Sequence, residues 1–177
     1  LWLLMQGDGA GLDRVVNWIK DVVVADCSGG WVPSFDPDAT FEWSAGFRRE
    51  WRLIQKELYQ WEREGHFVPP FEMVDGRQGY LTRKTQGTWS TLWLKVYGRD
   101  TDASIKFPRT MELLGKTTAS SAMFSILEPG KSIPLHRGEN KAVLRYHLAL
   151  EVPKPSSGQS EGSEPLVLHV ADKMFYR

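Results

Sequence analysis

The stretch Phe124–Pro153, FSILEPGKSIPLHRGENKAVLRYHLALEVP, decides how this chain is read. It begins inside a short apolar run, Ala122 to Leu127, that stops at Pro129-Gly130, a turn signal. His136 follows in His-Arg-Gly. From Ala142 to Val152 the residues alternate as a strand does. Val143, Arg145, His147 and Ala149 fall on one face, and Leu144, Tyr146, Leu148 and Leu150 on the other. The second set is wholly apolar or aromatic. The first places an Arg and a His side by side. Such a strand has little reason to carry them unless something anionic meets them. An Arg fork matches a carboxylate with two parallel hydrogen bonds, and a neighbouring imidazole adds a further donor.

Ser125, the Pro129-Gly130 turn, His136 and Gly138 of HRG, and Arg145 with His147 of RYHL also stand in a familiar register. Together they closely resemble the aspartyl/asparaginyl β-hydroxylase family, a branch of the iron(II)- and 2-oxoglutarate-dependent oxygenases. Two further stretches fit the resemblance: Trp89-Ser90 in the strand-like Thr88–Tyr97, and Pro108-Arg109-Thr110 before Leu113-Leu114. The resemblance runs from about Phe41 to Arg177. The chain is therefore divided into residues 1–40, an N-terminal helix and loop segment, and residues 41–177, a hydroxylase-like domain whose last strands are expected past Arg177.

The resemblance implies a mainly β fold with N-terminal helices. This is a double-stranded β-helix, the cupin-like jelly roll of two packed antiparallel sheets, with helices covering one sheet. Without the final strands, sheet edges are expected to lie open. The implied activity is oxidative decarboxylation of 2-oxoglutarate at Fe(II), coupled to hydroxylation of an unactivated carbon. By the same resemblance His136 is a metal ligand. Arg145 and His147 are donors to one carboxylate of 2-oxoglutarate, Ser125 is a donor to the other, and Trp89, with Ser90, lines the pocket.

Non-haem iron of this kind usually takes two His and one carboxylate. The carboxylate would stand two residues after His136, where Gly138 offers no side chain. Family members with Gly there hold iron with two His, a water taking the third place. The second His and a second Arg are expected beyond Arg177, since His169 does not match the family's motif. The implied substrate is the β-carbon of Asp or Asn in a protein, or a lipid acyl chain as in some bacterial relatives. The alternative is a non-catalytic binding or scaffold domain of the same fold, motivated by Gly138 and the absent second His. Relatives are often tethered to the endoplasmic reticulum or a bacterial inner membrane through a segment upstream of the catalytic domain. This chain begins at Leu1 and is read as a piece of a longer protein.

Each of these residues has a plainer reading. Ser125 is then an ordinary strand residue, His136 a loop imidazole beside Pro134, and Arg145 half of a salt bridge with Glu139 or Glu151. His66, after Gly65, reads as a surface or capping residue rather than a ligand.

Composition narrows the partners. Lys plus Arg number 22 and Asp plus Glu 22, so no net charge draws the chain to nucleic acid or to a charged membrane surface. Eight Trp favour a β-rich core or an aromatic-lined pocket. Cys27 stands alone, which excludes an internal disulfide and a thiolate zinc site. No run of about 18 apolar residues exists to span a bilayer. At 177 residues one domain is expected.

Along the chain, Leu1–Gly11 shows no clear period. Leu12–Ala25 carries apolar residues at helical spacing, and Trp31–Thr40 reads as a loop. Phe41–Glu64 gives the strongest helix pattern, with Trp43, Phe47, Trp51, Ile54, Leu58 and Trp61 on one stripe. Gly98–Ala103 reads as a turn and Met111–Leu114 as a short helical turn. Pro153–Pro165 reads as a polar hairpin loop, and Leu166–Val170 as a strand with a last apolar piece at Met174-Phe175-Tyr176.

Overall fold

The computed structural model describes residues 2–6, 35–82, 85–136, 143–152, 167–170 and 173–176. The expected helix over Leu12–Ala25 and the polar loop over Pro153–Pro165 lie outside them. Strand β1 is Trp2–Gln6, α1 Pro37–Thr40, α2 Ser44–Arg63, α3 Phe71–Val74, β2 Trp89–Val96 and β3 Arg99–Asp100. They are followed by α4 Pro108–Leu114, β4 Ser121–Leu127, β5 Arg145–Ala149, β6 Val167–Val170 and β7 Lys173–Tyr176. Helix and strand share the described residues about evenly, a more mixed content than the mainly β expectation.

Five strands form one antiparallel sheet in the order β3-β2-β4-β1-β5, and β6 pairs with β7 as a separate hairpin. The aperiodic N-terminus thus supplies an inner strand. Trp2–Gln6 runs antiparallel to both β4 and β5. The apolar run Trp2-Leu3-Leu4-Met5 leaves no alternation from which a strand could be read.

The even-numbered positions of β2, β4 and β5 face the helices. Leu92, Leu94, Ala122, Phe124, Tyr146 and Leu148 pack with Phe47, Ile54 and Leu58 of α2 and with Phe107, Leu113 and Leu114 at α4. The stripe read over Phe41–Glu64 is therefore the core-facing side of α2. Gly65, at φ +73°, ends that helix in the left-handed region, where a side chain would be strained.

The loop expected over Trp31–Thr40 contains the helical turn α1. Asp36 Oδ1 accepts from the Asp38 and Ala39 amides at 2.8 and 3.0 Å, and Pro37 stands at the first helical position. Asp-Pro is the start signal that the loop reading passed over.

Glu57 of α2 caps α4. Its carboxylate accepts from the amide of Arg109 at 2.7 Å, the amide of Thr110 at 3.0 Å and the hydroxyl of Thr110 at 2.7 Å. An anion at a helix start meets donors that have no partner within the helix.

Candidate functional site

The other face of the sheet carries the odd-numbered residues, and there the predicted site residues collect. In register Thr91 pairs with Ser125, and Ser125 with Trp2. Across β1, Trp2 pairs with Ala149 and Leu4 with His147. Cross-strand partners share a face. Ser125, Arg145 and His147 therefore look out from one side of the sheet, with β1 between the serine and the pair on β5.

Ser125 is buried, and its Oγ accepts a 2.9 Å hydrogen bond from Trp89 Nε1. The bond leaves the Ser125 hydroxyl proton free to donate. Trp89 is held in turn by Phe71 of α3, whose ring stacks on it with centroids 3.9 Å apart and planes 22° from parallel. Leu81 completes this small core, and Leu127 and Ile133 pack against it. Trp89 thus meets Ser125 directly. Ser90 points to the opposite face of β2 and does not line the same wall.

The segment leading to His136 is anchored at several points. Glu128-Pro129-Gly130-Lys131 closes a turn with the Lys131 amide donating to the Glu128 carbonyl at 3.0 Å. Gly130 lies at φ +80°, as the third residue of a type II turn requires, with Pro before it. Glu128 Oε2 accepts from the Thr88 amide at 2.7 Å, and Lys131 Nζ donates to the Thr82 carbonyl. Thr85 and Ser132 exchange two hydrogen bonds, at 2.8 and 3.2 Å.

His136 itself is exposed, and its Nδ1 lies 2.9 Å from the Pro134 carbonyl. A carbonyl only accepts, so Nδ1 carries a proton, and in the neutral ring the lone pair is then on Nε2. That is the tautomer a metal ligand needs, fixed by a neighbour as metal-bound imidazoles usually are. Among the described residues no three His, Cys, Asp or Glu side chains come together. Gly138 lies outside them.

Arg145 opens to solvent on one side, yet surrounding protein desolvates its guanidinium enough to lower its pKa from the usual arginine range. Among the described residues it makes no ion pair. Of the two carboxylates suggested for it, Glu151 receives the Tyr59 hydroxyl at 2.7 Å, and Glu139 lies outside the described residues. His147 is pushed down to about 4, first by burial and then by the nearby Arg145 charge, so it is neutral at pH 7. A desolvated cation beside a neutral imidazole is a setting that an incoming carboxylate improves.

Reading from sequence passed over two further residues on this face. Thr91 is fully buried, and its hydroxyl has no hydrogen-bond partner among the described residues. The buried indole N–H of Trp93 has none either. The signal was a Thr between two Trp at alternate positions of one strand. His66, by contrast, stacks on Trp61 with centroids 4.3 Å apart, and its Nε2 lies 2.9 Å from Glu64 at the surface. Two surface clefts border α2 and include none of the predicted site residues.

A sequence model of the aspartyl/asparaginyl β-hydroxylases matches residues 48–174. The chain belongs to that family. Among relatives, an ornithine lipid ester-linked acyl 2-hydroxylase of Rhizobium tropici is 34% identical over 144 residues, 80% of this chain and 50% of its own length. Aspartyl/asparaginyl β-hydroxylases of Mus musculus and Homo sapiens are each 30% identical over 115 residues, 60% of this chain and 14% of theirs. This family member therefore spans half the length of the bacterial relative and a smaller part of the mammalian ones. No solved structure matches it.

Proposed function

We propose that this member of the β-hydroxylase family is part of an iron(II)- and 2-oxoglutarate-dependent hydroxylase, built on the sheet-and-helix half of a jelly roll. The observation that carries the reading is Arg145. It is a desolvated guanidinium with no carboxylate partner among the described residues, set beside neutral His147 on the face that also holds Ser125. In this reading Arg145 and His147 bind one carboxylate of 2-oxoglutarate. Ser125, oriented by Trp89, donates to the other, and β1 sets the distance between them. His136 would present Nε2 to the metal. Bound iron and 2-oxoglutarate would supply the oxidising chemistry that inserts oxygen into an unactivated C–H bond. The protein's own part is to orient the cofactor and to keep water from it, which the Phe71–Trp89 stack does at the Ser125 end.

For the substrate we favour an acyl chain over the β-carbon of Asp or Asn. The similarity to a lipid acyl hydroxylase is higher and covers more of this chain than the similarity to the mammalian proteins. Exposed apolar side chains also stand on the segments packed around Trp89, namely Met73, Val74, Tyr80 and Leu135.

Anaerobic titration of the purified protein with Fe(II) and 2-oxoglutarate should develop a metal-to-ligand charge-transfer band in the visible, absent in His136→Ala. A band unchanged in that variant would sink the ligand assignment. No binding of 2-oxoglutarate at all would leave a binding domain without the chemistry. Turnover of 2-oxoglutarate stimulated by an amino-acyl lipid and not by Asp-containing peptides would separate the two substrates.

A further inference from the structure

We propose that Thr91 is a cofactor-binding residue whose hydroxyl donates to the same carboxylate as Ser125. The inference rests on the 2-oxoglutarate reading above and adds to it a residue from a different strand.

Thr91 lies in the middle of β2, fully buried, with a hydroxyl that no protein group among the described residues meets. A buried hydroxyl without a partner is destabilising, and a valine of the same shape would relieve the penalty. A buried hydroxyl in the interior of a sheet with no partner among the described residues is placed to meet a bound ligand. Its position says which one. Thr91 is the direct register partner of Ser125, so the two side chains stand on one face with Cβ atoms about 5 Å apart. Ser125 Oγ already accepts from Trp89 Nε1, and that bond turns its own proton away from the indole. Two hydroxyl donors at that spacing can each take one oxygen of a single carboxylate. At this end the two hydroxyls together contribute to recognition of the carboxylate. Arg145 carries it at the other, as suits a ligand with two carboxylates.

The test compares Thr91→Val, Thr91→Ser and Thr91→Ala with the unaltered protein. The readouts are 2-oxoglutarate affinity, by anaerobic calorimetry with Mn(II) in place of iron, and thermal unfolding without ligand. Thr91→Val should weaken binding about tenfold or more, the effect of one hydrogen bond to a charged group. Its melting temperature without ligand should be unchanged or higher, because the orphaned hydroxyl is gone. Thr91→Ser should bind nearly as the unaltered protein does. If Val disturbs the fold, the Ser and Ala variants isolate the same hydroxyl. Equal affinities for those two would overturn the proposal while leaving the 2-oxoglutarate reading intact. A lower melting temperature of Thr91→Val with unchanged affinity would make the hydroxyl structural and also overturn it. An unaltered protein that does not bind 2-oxoglutarate would overturn both.

Discussion

Trp89 on β2 and Ser125 on β4 are joined by a 2.9 Å hydrogen bond from indole nitrogen to serine oxygen, two register pairs apart along the sheet. The indole is not free to turn, because Phe71 stacks on it from α3. A residue in one helical turn therefore sets the orientation of a hydroxyl on a strand it does not itself touch through hydrogen bonds. The Ser125 hydroxyl is thus oriented by protein contacts alone, which would lower the ordering cost of binding at the proposed site.

Trp89→Phe tests that arrangement. Phenylalanine can keep the stack on Phe71 but offers no N–H, so the Ser125 hydroxyl loses its fixed direction. We expect 2-oxoglutarate affinity to fall several-fold. Stability should drop by roughly 1–3 kcal/mol, from the smaller ring and the lost hydrogen bond. Calorimetric titration and urea unfolding read the two effects separately. Unchanged affinity alongside lowered stability would reduce Trp89 to a packing residue.

His136 should behave in the opposite way. It is exposed and its contact is with a backbone carbonyl two residues away, so His136→Ala should shift stability by no more than about 0.5 kcal/mol, as surface changes usually do. Metal affinity, measured with Mn(II), should nevertheless fall steeply. A variant that unfolds easily would mean that the loop imidazole is structural.

Much of this could be read from the sequence, because the period of a strand or helix is local. Arg145 and His147 on one face with Tyr146 and Leu148 buried on the other, and the Phe47-Ile54-Leu58 stripe, both follow from spacing alone. What could not be read depends on partners far along the chain. Trp2–Gln6 became an inner strand only because β4 and β5 flank it, and no alternation marks that. The Trp89–Ser125 bond joins residues 36 apart. Thr91 looks ordinary until its register opposite Ser125 is known. The cap that Glu57 gives to Thr110, 53 residues away, was equally invisible.

That cap gives a stability prediction away from the site. Glu57→Ala removes the acceptor for the Arg109 amide and for the amide and hydroxyl of Thr110, and α4 carries the buried Leu113 and Leu114. The loss should be about 2 kcal/mol, the upper end for a cap. Glu57→Gln, which keeps one acceptor oxygen, should lose less. Chemical denaturation gives the comparison. Equal losses for Gln and Ala would show that the charge, and not the acceptor geometry, holds the helix start.

Arg145 offers a trade between stability and binding. Its guanidinium is desolvated, with no ion pair among the described residues, so an apolar replacement of similar length removes an uncompensated charge. Arg145→Met should be as stable as the unaltered protein or more so, and should bind 2-oxoglutarate at least about a hundredfold more weakly, the order expected for losing a bidentate charge pair. Arg145→Lys should recover only part of the affinity, because an ammonium cannot make the fork. A clear loss of stability in Arg145→Met would point instead to a structural ion pair.

His147 gives a pH dependence whose sign can be worked out. In the folded protein its pKa is pushed down to about 4, by burial first and by Arg145 second, against an ordinary value of 6.5. Between those values the unfolded chain binds a proton that the folded protein refuses, so acid favours unfolding. The contribution is fully present above pH 6.5 and is lost as the pH falls through the window to about 4. At about 1.4 kcal/mol per pKa unit, the loss reaches roughly 3 kcal/mol. Glu64, held down to about 2 by hydrogen bonds from Gln60, His66 and Lys106, works in the same direction but below the ordinary carboxylate value. His147→Gln should therefore flatten the stability profile from pH 6.5 to about 4.5 and leave the steeper acid limb in place. Saturating 2-oxoglutarate should also narrow the window in the unaltered protein, because a carboxylate beside the imidazole favours its protonated form and draws its pKa back toward the ordinary value. Denaturant midpoints measured across this pH range, with and without the ligand, check both. A window that the ligand leaves unchanged would place its carboxylate away from His147.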